Sequence, residues 1–227
     1  MSLTEYKNKR NFNHTPEPQT AIDKEKGKQI FVVQRHSATR LHYDFRLEMN
    51  GVLVSWTIPK GPSLYPKDKR LAMMVEDHPI DYANFHGIIP EGNYGAGIVE
   101  IWDKGTYELS PENDGDGLHA IQQGALKFIL HGNKLQGRFA LIKMKSGAPN
   151  SWMLIKERDE FASGEPYNSE EYTEASSPIN QQLAASGTKA QKTISFKKVP
   201  VQTPSPKRTK SAKLVAESKK KVLLKML

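Results

Sequence analysis

Polar side chains alternate with apolar ones along the segment LHYDFRLE, residues 41–48. Side chains two residues apart on a strand point to the same face. One face therefore carries His42, Asp44, Arg46 and Glu48, while the other face is apolar. An ordinary solvated strand face would favour Thr, Lys, Ser or Gln, so this row of imidazole, carboxylate and guanidinium groups predicts a chemical role.

Two residues of this row, together with an upstream histidine, have the side chains of a divalent-metal site. His42 and Asp44 stand at positions i and i+2, and His36 precedes His42 by six residues. Two imidazoles and one carboxylate, with positions left open for water, suit manganese, iron or zinc. The alternative is a surface histidine beside a structural ion pair between Asp44 and Arg46.

A second cluster lies in EDHPIDY, residues 76–82. Glu76 and His78 share a predicted strand face, and Tyr82 follows a proline turn. An imidazole here could protonate a leaving group or hold an anionic oxygen, and a phenol could hydrogen-bond the same oxygen. The alternative is that His78 ends a strand at a turn and Tyr82 packs over the sheet edge.

The glycine-rich segment GIIPEGNYGAG, residues 87–97, matches neither a Walker A loop nor a dinucleotide-binding turn. We expect a tight loop beside the site, with phosphate cradling as the weaker alternative. The segment SWTIPKGPS, residues 55–63, predicts an ordered bend that carries Lys60. A metal, an arginine and a histidine together indicate phosphoryl chemistry, with metal-bound water as the candidate nucleophile.

Short β-rich stretches punctuated by Gly, Pro and Asn must position these residues. Asn50-Gly51 between two of them is a strong hairpin signal. The pattern predicts a mainly β protein with a small antiparallel barrel of about eight strands. The stretches are IFVVQ (30–34), LHYDFRLEM (41–49), VLVSWTI (52–58), RLAMMVE (70–76), GIVEIWD (97–103), LKFILHG (126–132), RFALIKM (138–144) and WMLIKE (152–157).

The composition divides the chain into three parts. We expect a polar, extended N-terminal arm over residues 1–28, the barrel over 29–160, and a low-complexity linker with a Lys-rich tail over 161–227. Residues 187–227 carry 12 Lys and Arg and one acidic residue, a net charge of +11, which leaves −3 of the total +8 for the rest. A disordered basic tail of this kind is compatible with salt-sensitive binding to the DNA backbone, and the alternative is a solvated tail with no partner.

The chain has no cysteine, which excludes disulfides and Cys-based metal or redox sites. Its N-terminus lacks a hydrophobic signal region, and no apolar run approaches the roughly 20 residues that span a bilayer. We therefore expect a cytoplasmic, nucleoid-associated monomer with no membrane partner.

Several segments, in order and in register, resemble the 3′-phosphoesterase domain of bacterial DNA ligase D and its free-standing relatives. They are QRHSATRLHYDFRLE, SWTIPKGPS, VEDHPIDY, IPEGNYGAG and the closing WMLIKERDE, and they cover roughly residues 5–160. The resemblance implies a small β-barrel that uses Mn²⁺ to trim DNA 3′ ends. Such a domain removes a 3′-terminal ribonucleotide to leave a 3′-phosphate, and then converts the phosphate to a hydroxyl.

The resemblance also implies roles for eleven residues of this sequence. The implied metal ligands are His36, His42 and Asp44. The residues implied to hold or protonate the scissile phosphate are Arg46, His78 and Tyr82. Supporting positions around the site are Arg10, Glu17, Gln34, Arg70 and Glu76. Asn11 stands where the family usually has Asp, which is expected to weaken ribonucleotide removal relative to phosphate removal.

Cofactor and partners follow from the same resemblance. Co²⁺ and Zn²⁺ are alternatives to Mn²⁺. The implied partners are DNA 3′ ends and separate end-joining proteins, namely a ligase, a polymerase or Ku-type proteins.

Two other functions fit parts of the pattern. A cupin-like metal oxygenase would use His42, Asp44 and Glu48, but Gly95 stands where that barrel would supply its last histidine. The other alternative is a catalytically weak binding module for DNA ends or the ribosome, which loss of the metal ligands would mark. All three candidate ligands are present.

Overall fold

The computed structural model describes residues 3–19, 29–113 and 115–186. Nine strands and three helices make up its regular structure, with 3-10 helices at Ile80–Asn84, Pro111–Asn113 and Ser169–Tyr172. The helices are α1 (Leu3–Asn8), α2 (Gly117–Gln123) and α3 (Pro178–Ala185). The strands are β1 (Ile30–Ser37), β2 (Leu41–Met49), β3 (Val52–Ile58), β4 (Lys69–Pro79), β5 (Gly87–Ile89), β6 (Gly97–Leu109), β7 (Ala125–Gly132), β8 (Gln136–Lys143) and β9 (Ser151–Lys156).

Eight of these strands close into an antiparallel barrel. Their order is β1-β2-β3-β4-β9-β8-β7-β6, and β6 pairs back onto β1. The predicted eight-stranded barrel is thus confirmed. Six of the eight predicted β stretches lie within one strand, and the stretches 138–144 and 152–157 each run one residue past the end of β8 and β9. The short strand β5, which pairs with the start of β6, was not predicted because its three residues show no alternation inside the glycine-rich loop.

The β2–β3 hairpin turns at Asn50 and Gly51, as predicted. Both residues have positive φ, 52° and 84°, which a two-residue turn of this hand requires. The turn sets the register of β2 against β3, so Asp44 pairs with Thr57. On the other side of β2, His42 pairs with His36 and Asp44 with Gln34 of β1.

The barrel interior is apolar and rich in aromatic residues. Trp102 and Trp152 are 3 % and 1 % exposed. A second, smaller apolar cluster lies outside the barrel, between its wall and the N-terminal arm. It contains Tyr6, Val32, Leu53, Tyr82, Ala83, Phe85, Ile89 and Val99.

The chain on either side of the barrel is more ordered than its composition predicts. The described part of the arm begins with α1 rather than an extended segment, and Tyr6 of α1 is fully buried. The sequence predicts a linker from residue 161, whereas residues 161–186 pack on the barrel. There Ile179 is fully buried and Glu170 pairs with Arg35. Contacts between residues that are far apart in the sequence cannot be predicted from local composition.

The Lys-rich tail expected over 187–227 lies outside the described residues. Within residues 3–19, 29–113 and 115–186, no helix has the length and apolar character needed to cross a membrane.

Candidate metal centre

Strand pairing brings the three candidate ligands together on the outer face of β1 and β2. The rings of His36 and His42, which are register partners, have centroids 4.7 Å apart. Asp44 stands two residues along β2, on the same face. One ligand atom from each of the three side chains lies within 4.8 Å of the others. This is a compact set of donors that could hold one metal ion.

Backbone carbonyls orient both imidazoles. His36 Nε2 lies 2.9 Å from the carbonyl oxygen of Gly95, and His42 Nδ1 lies 2.8 Å from that of Arg40. A ring nitrogen facing a carbonyl carries the proton, so these contacts assign the lone pairs to His36 Nδ1 and His42 Nε2. Those two atoms lie 3.7 and 3.8 Å from the Asp44 carboxylate. Two ring nitrogens with lone pairs and one carboxylate therefore face a common point, as three ligands of one metal ion must.

The Asp44 carboxylate is held in its ionised form. Arg46 Nη2 donates to Asp44 Oδ2 at 3.0 Å, and Thr57 Oγ1 donates to Oδ1 at 2.7 Å. Burial alone would raise the pKa of Asp44, but the Arg46 guanidinium and the two histidines lower it well below its usual range. Asp44 therefore presents a negative charge to the two imidazoles at neutral pH.

Arg46 is almost fully buried and is fixed from several sides. Its Nε donates to Gln34 Oε1 at 2.8 Å, and its Nη1 donates to Ser55 Oγ at 2.9 Å. Gln34 is itself fixed, because its amide donates to the carbonyls of Tyr82 and Phe85 at 2.9 and 2.8 Å. Gln34 thus sets the plane of the guanidinium beside the metal centre.

His78 lies between two arginines. Its Nδ1 is 2.9 Å from Arg46 Nη1, and its Nε2 is 3.2 Å from Arg10 Nη2. Burial first, and then the Coulombic effect of Arg46 and Arg10, lowers the pKa of His78 well below its usual value. The imidazole is therefore neutral at pH 7.

The N-terminal arm completes the network. Arg10 donates to Glu17 at 2.7 Å and to Glu76 at 3.2 Å. The Tyr82 hydroxyl donates to Glu17 Oε1 at 3.0 Å. Burial raises the pKa of Tyr82 well above its usual value, so the phenol keeps its proton. Ten of the eleven residues to which the resemblance assigns roles thus belong to one network of hydrogen bonds and close polar contacts. The network runs from His36 through Arg46 to the N-terminal arm.

Arg70 is the eleventh residue and lies in different surroundings. Its Nη2 donates to Asp68 Oδ2 at 2.8 Å and to the carbonyl of Tyr167 at 2.6 Å. It lines a pocket of about 310 Å³ together with Lys60 and the residue before His42, Leu41. Arg70 therefore flanks the centre from the barrel end rather than joining the network.

Sequence reasoning missed Ser55 and Thr57, which orient Arg46 and Asp44. The alternation in VLVSWTI could have identified them, because both lie on the strand face next to the polar row of β2. Glu48, the acid that a cupin-like site would use, instead accepts a hydrogen bond from the Gly51 amide at the hairpin turn. The glycine-rich loop does lie beside the site, as expected, through the Gly95 carbonyl on His36.

The fold and the site define a closed β-barrel that gathers two histidines, an aspartate and a buried arginine on its outer wall. Residues 34–143 match the family model for the DNA Ligase D 3'-phosphoesterase domain. The barrel of this chain belongs to that domain family.

Three curated relatives carry the same region within longer chains. The multifunctional non-homologous end joining protein LigD of Pseudomonas aeruginosa is 48 % identical over 161 residues, which are 69 % of this chain and 19 % of the relative. The protein of that name from Mycolicibacterium smegmatis is 44 % identical over 165 residues, 70 % of this chain and 21 % of the relative. The multifunctional non-homologous end joining DNA repair protein LigD of Mycobacterium tuberculosis (strain H37Rv) is 42 % identical over 159 residues, with corresponding shares of 70 % and 20 %. The chain thus spans about a fifth of the length of these relatives.

Proposed function

We propose that this chain is a manganese-dependent phosphoesterase, a hydrolase that repairs DNA 3′ ends. It would remove a 3′-phosphate, and a 3′-terminal ribonucleotide, to leave a 3′-hydroxyl for a polymerase or ligase. Membership of the 3′-phosphoesterase domain family supports the reaction class. The observation that carries the proposal is the convergence of His36 Nδ1 and His42 Nε2 on the Asp44 carboxylate, directly beside Arg46.

The donor set fits a divalent transition metal. Two imidazoles and one carboxylate suit Mn²⁺, and they also accept Co²⁺ or Zn²⁺. When bound, the metal supplies Lewis-acid stabilisation of charge on the phosphate oxygens. His36, His42 and Asp44 would hold it, with the carbonyls of Gly95 and Arg40 keeping the imidazoles in the ligating tautomer.

Arg46 is the residue assigned to the scissile phosphate. A guanidinium has five N–H groups. Three of those of Arg46 donate to Gln34, Ser55 and Asp44, and a fourth, on Nη1, points toward His78. The remaining N–H, on Nη2 beside Asp44, is left to donate to a phosphate oxygen. A charge-assisted hydrogen bond from a fixed donor stabilises the added negative charge of a phosphoryl transition state.

His78 and Tyr82 would position the phosphate-binding group rather than transfer protons. The neutral His78 contacts Arg46, and its lowered pKa argues against a general acid at neutral pH. Tyr82 directs its proton to Glu17, and its ring lies 4.9 Å from the Arg46 guanidinium. The arm residues Arg10 and Glu17 would act through these two side chains.

The biological setting that we propose is non-homologous end joining, the process that the relatives' names state. Separate ligase, polymerase or Ku-type proteins would then use the healed end. The basic segment 187–227 would contribute sequence-independent contacts to DNA phosphates.

Two primer–templates test this function, one ending in a 3′-phosphate and the other in a single ribonucleotide. With purified protein and Mn²⁺ we expect conversion of both ends to a 3′-hydroxyl, and EDTA should stop it. Tight DNA binding without conversion under Mn²⁺, Co²⁺ and Zn²⁺ would overturn the enzyme and favour the alternative, a catalytically weak DNA-end-binding module.

A further inference from the structure

One large, exposed aromatic side chain, Tyr94, lies close to the candidate metal centre. Of the residues that the structure describes, the large hydrophobic ones with substantial exposure are Leu71 at 40 %, Ile88 at 64 %, Tyr94 at 50 % and Phe161 at 44 %. Tyr94 belongs to the glycine-rich segment that reaches His36 through the Gly95 carbonyl. Ile88 lies in β5 and, with its partner Ile98, faces away from His36. Isolated exposed apolar residues are ordinary, but a half-exposed aromatic ring on a loop that contacts a candidate ligand indicates a binding surface.

The ring of Tyr94 lies over the cationic edge of the site. Lys9 Nζ is 5.0 Å and the Arg10 guanidinium carbon 5.6 Å from the centre of the ring. Arg10 in turn contacts His78, and Lys9 pairs with Glu76 at 3.0 Å. Half of the Tyr94 side chain is nevertheless open to solvent, next to the network that surrounds Arg46.

The loop backbone is held in place, which fixes the point from which the Tyr94 side chain projects. The side-chain amide of Asn93 donates to the carbonyls of His14 in the arm and Pro90 in the loop, at 3.3 and 3.1 Å. Gly92 and Gly95 have φ of 83° and 76°, a conformation that glycine adopts without strain. At the start of the loop, β5 pairs with β6 and places Ile88 opposite Ile98.

An exposed aromatic ring next to cations and a phosphate site is the arrangement that binds single-stranded DNA without regard to sequence. Every nucleobase has a π-face, so each can stack on such a ring, while the cations attract the backbone phosphates. A simple phosphate monoester would contact only the metal and Arg46. A nucleoside 3′-phosphate would also contact the exposed Tyr94 ring through its base.

We propose that Tyr94 forms the platform on which the base of the 3′-terminal nucleotide stacks while its phosphate is held beside Arg46. This inference rests on the proposed function and adds a basis for substrate selection. The preferred substrate would be a terminal nucleotide that carries a base, whatever the DNA sequence. The Tyr94 ring, rather than its hydroxyl, carries the interaction.

Two DNA 3′-phosphate ends test the platform, one with a normal terminal base and one with an abasic terminal residue. Tyr94→Ala should raise KM for the normal end about tenfold, since base–aromatic stacking is of that strength, and should leave KM for the abasic end unchanged. Tyr94→Phe should behave as the wild type. Phe161→Ala, which removes an exposed ring beside Gly137 and Asp159, is the matched control and should change neither value.

A binding measurement separates this inference from the proposed function. With 2-aminopurine as the terminal base, binding to the wild type and to Tyr94→Phe should quench its fluorescence, and binding to Tyr94→Ala should not. Equal quenching by Tyr94→Ala, or an equal rise in KM for both ends, would overturn the platform. If the wild type releases no phosphate from either end, the proposed function fails, and the dependence of quenching on the Tyr94 ring still decides whether the base stacks there.

Discussion

His78 lies between two guanidinium groups, and this position determines its protonation state and its effect on stability. The pKa of His78 in the folded chain is lowered well below its value of about 6.5 in an unfolded chain. Between these two pKa values the unfolded chain binds a proton that the folded chain excludes. The free energy of unfolding should therefore decrease as the pH falls below about 6.5, by at most about 1.4 kcal/mol per pH unit for one proton.

Urea unfolding between pH 5 and 8 measures this effect. Burial raises the pKa of Asp77 to about 6, which stabilises the folded chain on acidification and opposes His78. The test is accordingly the difference between variants. His78→Gln should remove the His78 contribution, so its stability should fall less on acidification than that of the wild type. His119→Gln, at an exposed helix position, is the control. An unchanged pH dependence in His78→Gln would contradict the account.

Asn11 tests whether the arm sets the balance between the two activities. Its side-chain oxygen accepts a hydrogen bond from the amide of Asn13 at 3.2 Å, and its nitrogen lies 3.5 Å from His14 Nδ1. A carboxylate there would accept a hydrogen bond from the His14 ring and stabilise its cation. We expect Asn11→Asp to raise the rate of ribonucleotide removal severalfold relative to phosphate removal.

The ratio of the two rates is the measurement, because it cancels changes in active concentration. Asn13→Asp adds the same charge in the same turn and should leave the ratio unchanged. If the ratio of ribonucleotide removal to phosphate removal stayed constant or fell in Asn11→Asp, the proposed role of this position would be wrong.

At the scale of the elements, alternation predicted much of the site because β-strands have a fixed period. The row of His42, Asp44 and Arg46 follows from that period, and Asn50-Gly51 sets its register against β3. The pairing of β1 with β2 places His36 beside His42. This pairing depends on the topology of the barrel, which local sequence patterns do not specify. The contact between Arg10 and His78 joins residues 68 positions apart, and only the family resemblance connected them beforehand.

The segment 161–186 is ordered, although its composition predicted a linker. Glu170 forms a two-point pair with Arg35, at 2.9 and 2.5 Å, and accepts a hydrogen bond from the Tyr43 hydroxyl. Arg35 is fully buried, with Glu100 as its other partner. This ion pair joins the segment to β1, one residue from His36.

Removing that carboxylate should destabilise the whole barrel. Glu170→Ala leaves part of a buried guanidinium without its partner, and we expect a loss of about 2–3 kcal/mol in the free energy of unfolding. Urea denaturation measures it, with the exposed Glu174→Ala as control. Equal stability of the two variants would show that the ion pair between Glu170 and Arg35 does not stabilise the fold.

At the scale of the whole molecule, charge is divided between a weakly acidic body and a strongly basic C-terminal segment. Residues 187–227 carry a net charge of +11, and the remaining residues −3. Deleting 187–227 should weaken DNA binding and flatten its dependence on salt, because each lysine–phosphate contact releases counterions. Turnover on short substrates should persist. Binding titrations at several salt concentrations would contradict this account if the affinity and its salt slope were unchanged.

The most direct test of the central claim compares wild type and His42→Ala on a primer–template with a 3′-phosphate, in the presence of Mn²⁺. The His42 side chain is 20 % exposed at the edge of the site, so the variant should keep the fold, which thermal unfolding would verify. The account predicts that the wild type converts the end to a 3′-hydroxyl and that the folded variant releases no phosphate. Wild-type turnover in the folded variant would show that His36, His42 and Asp44 are not the metal centre.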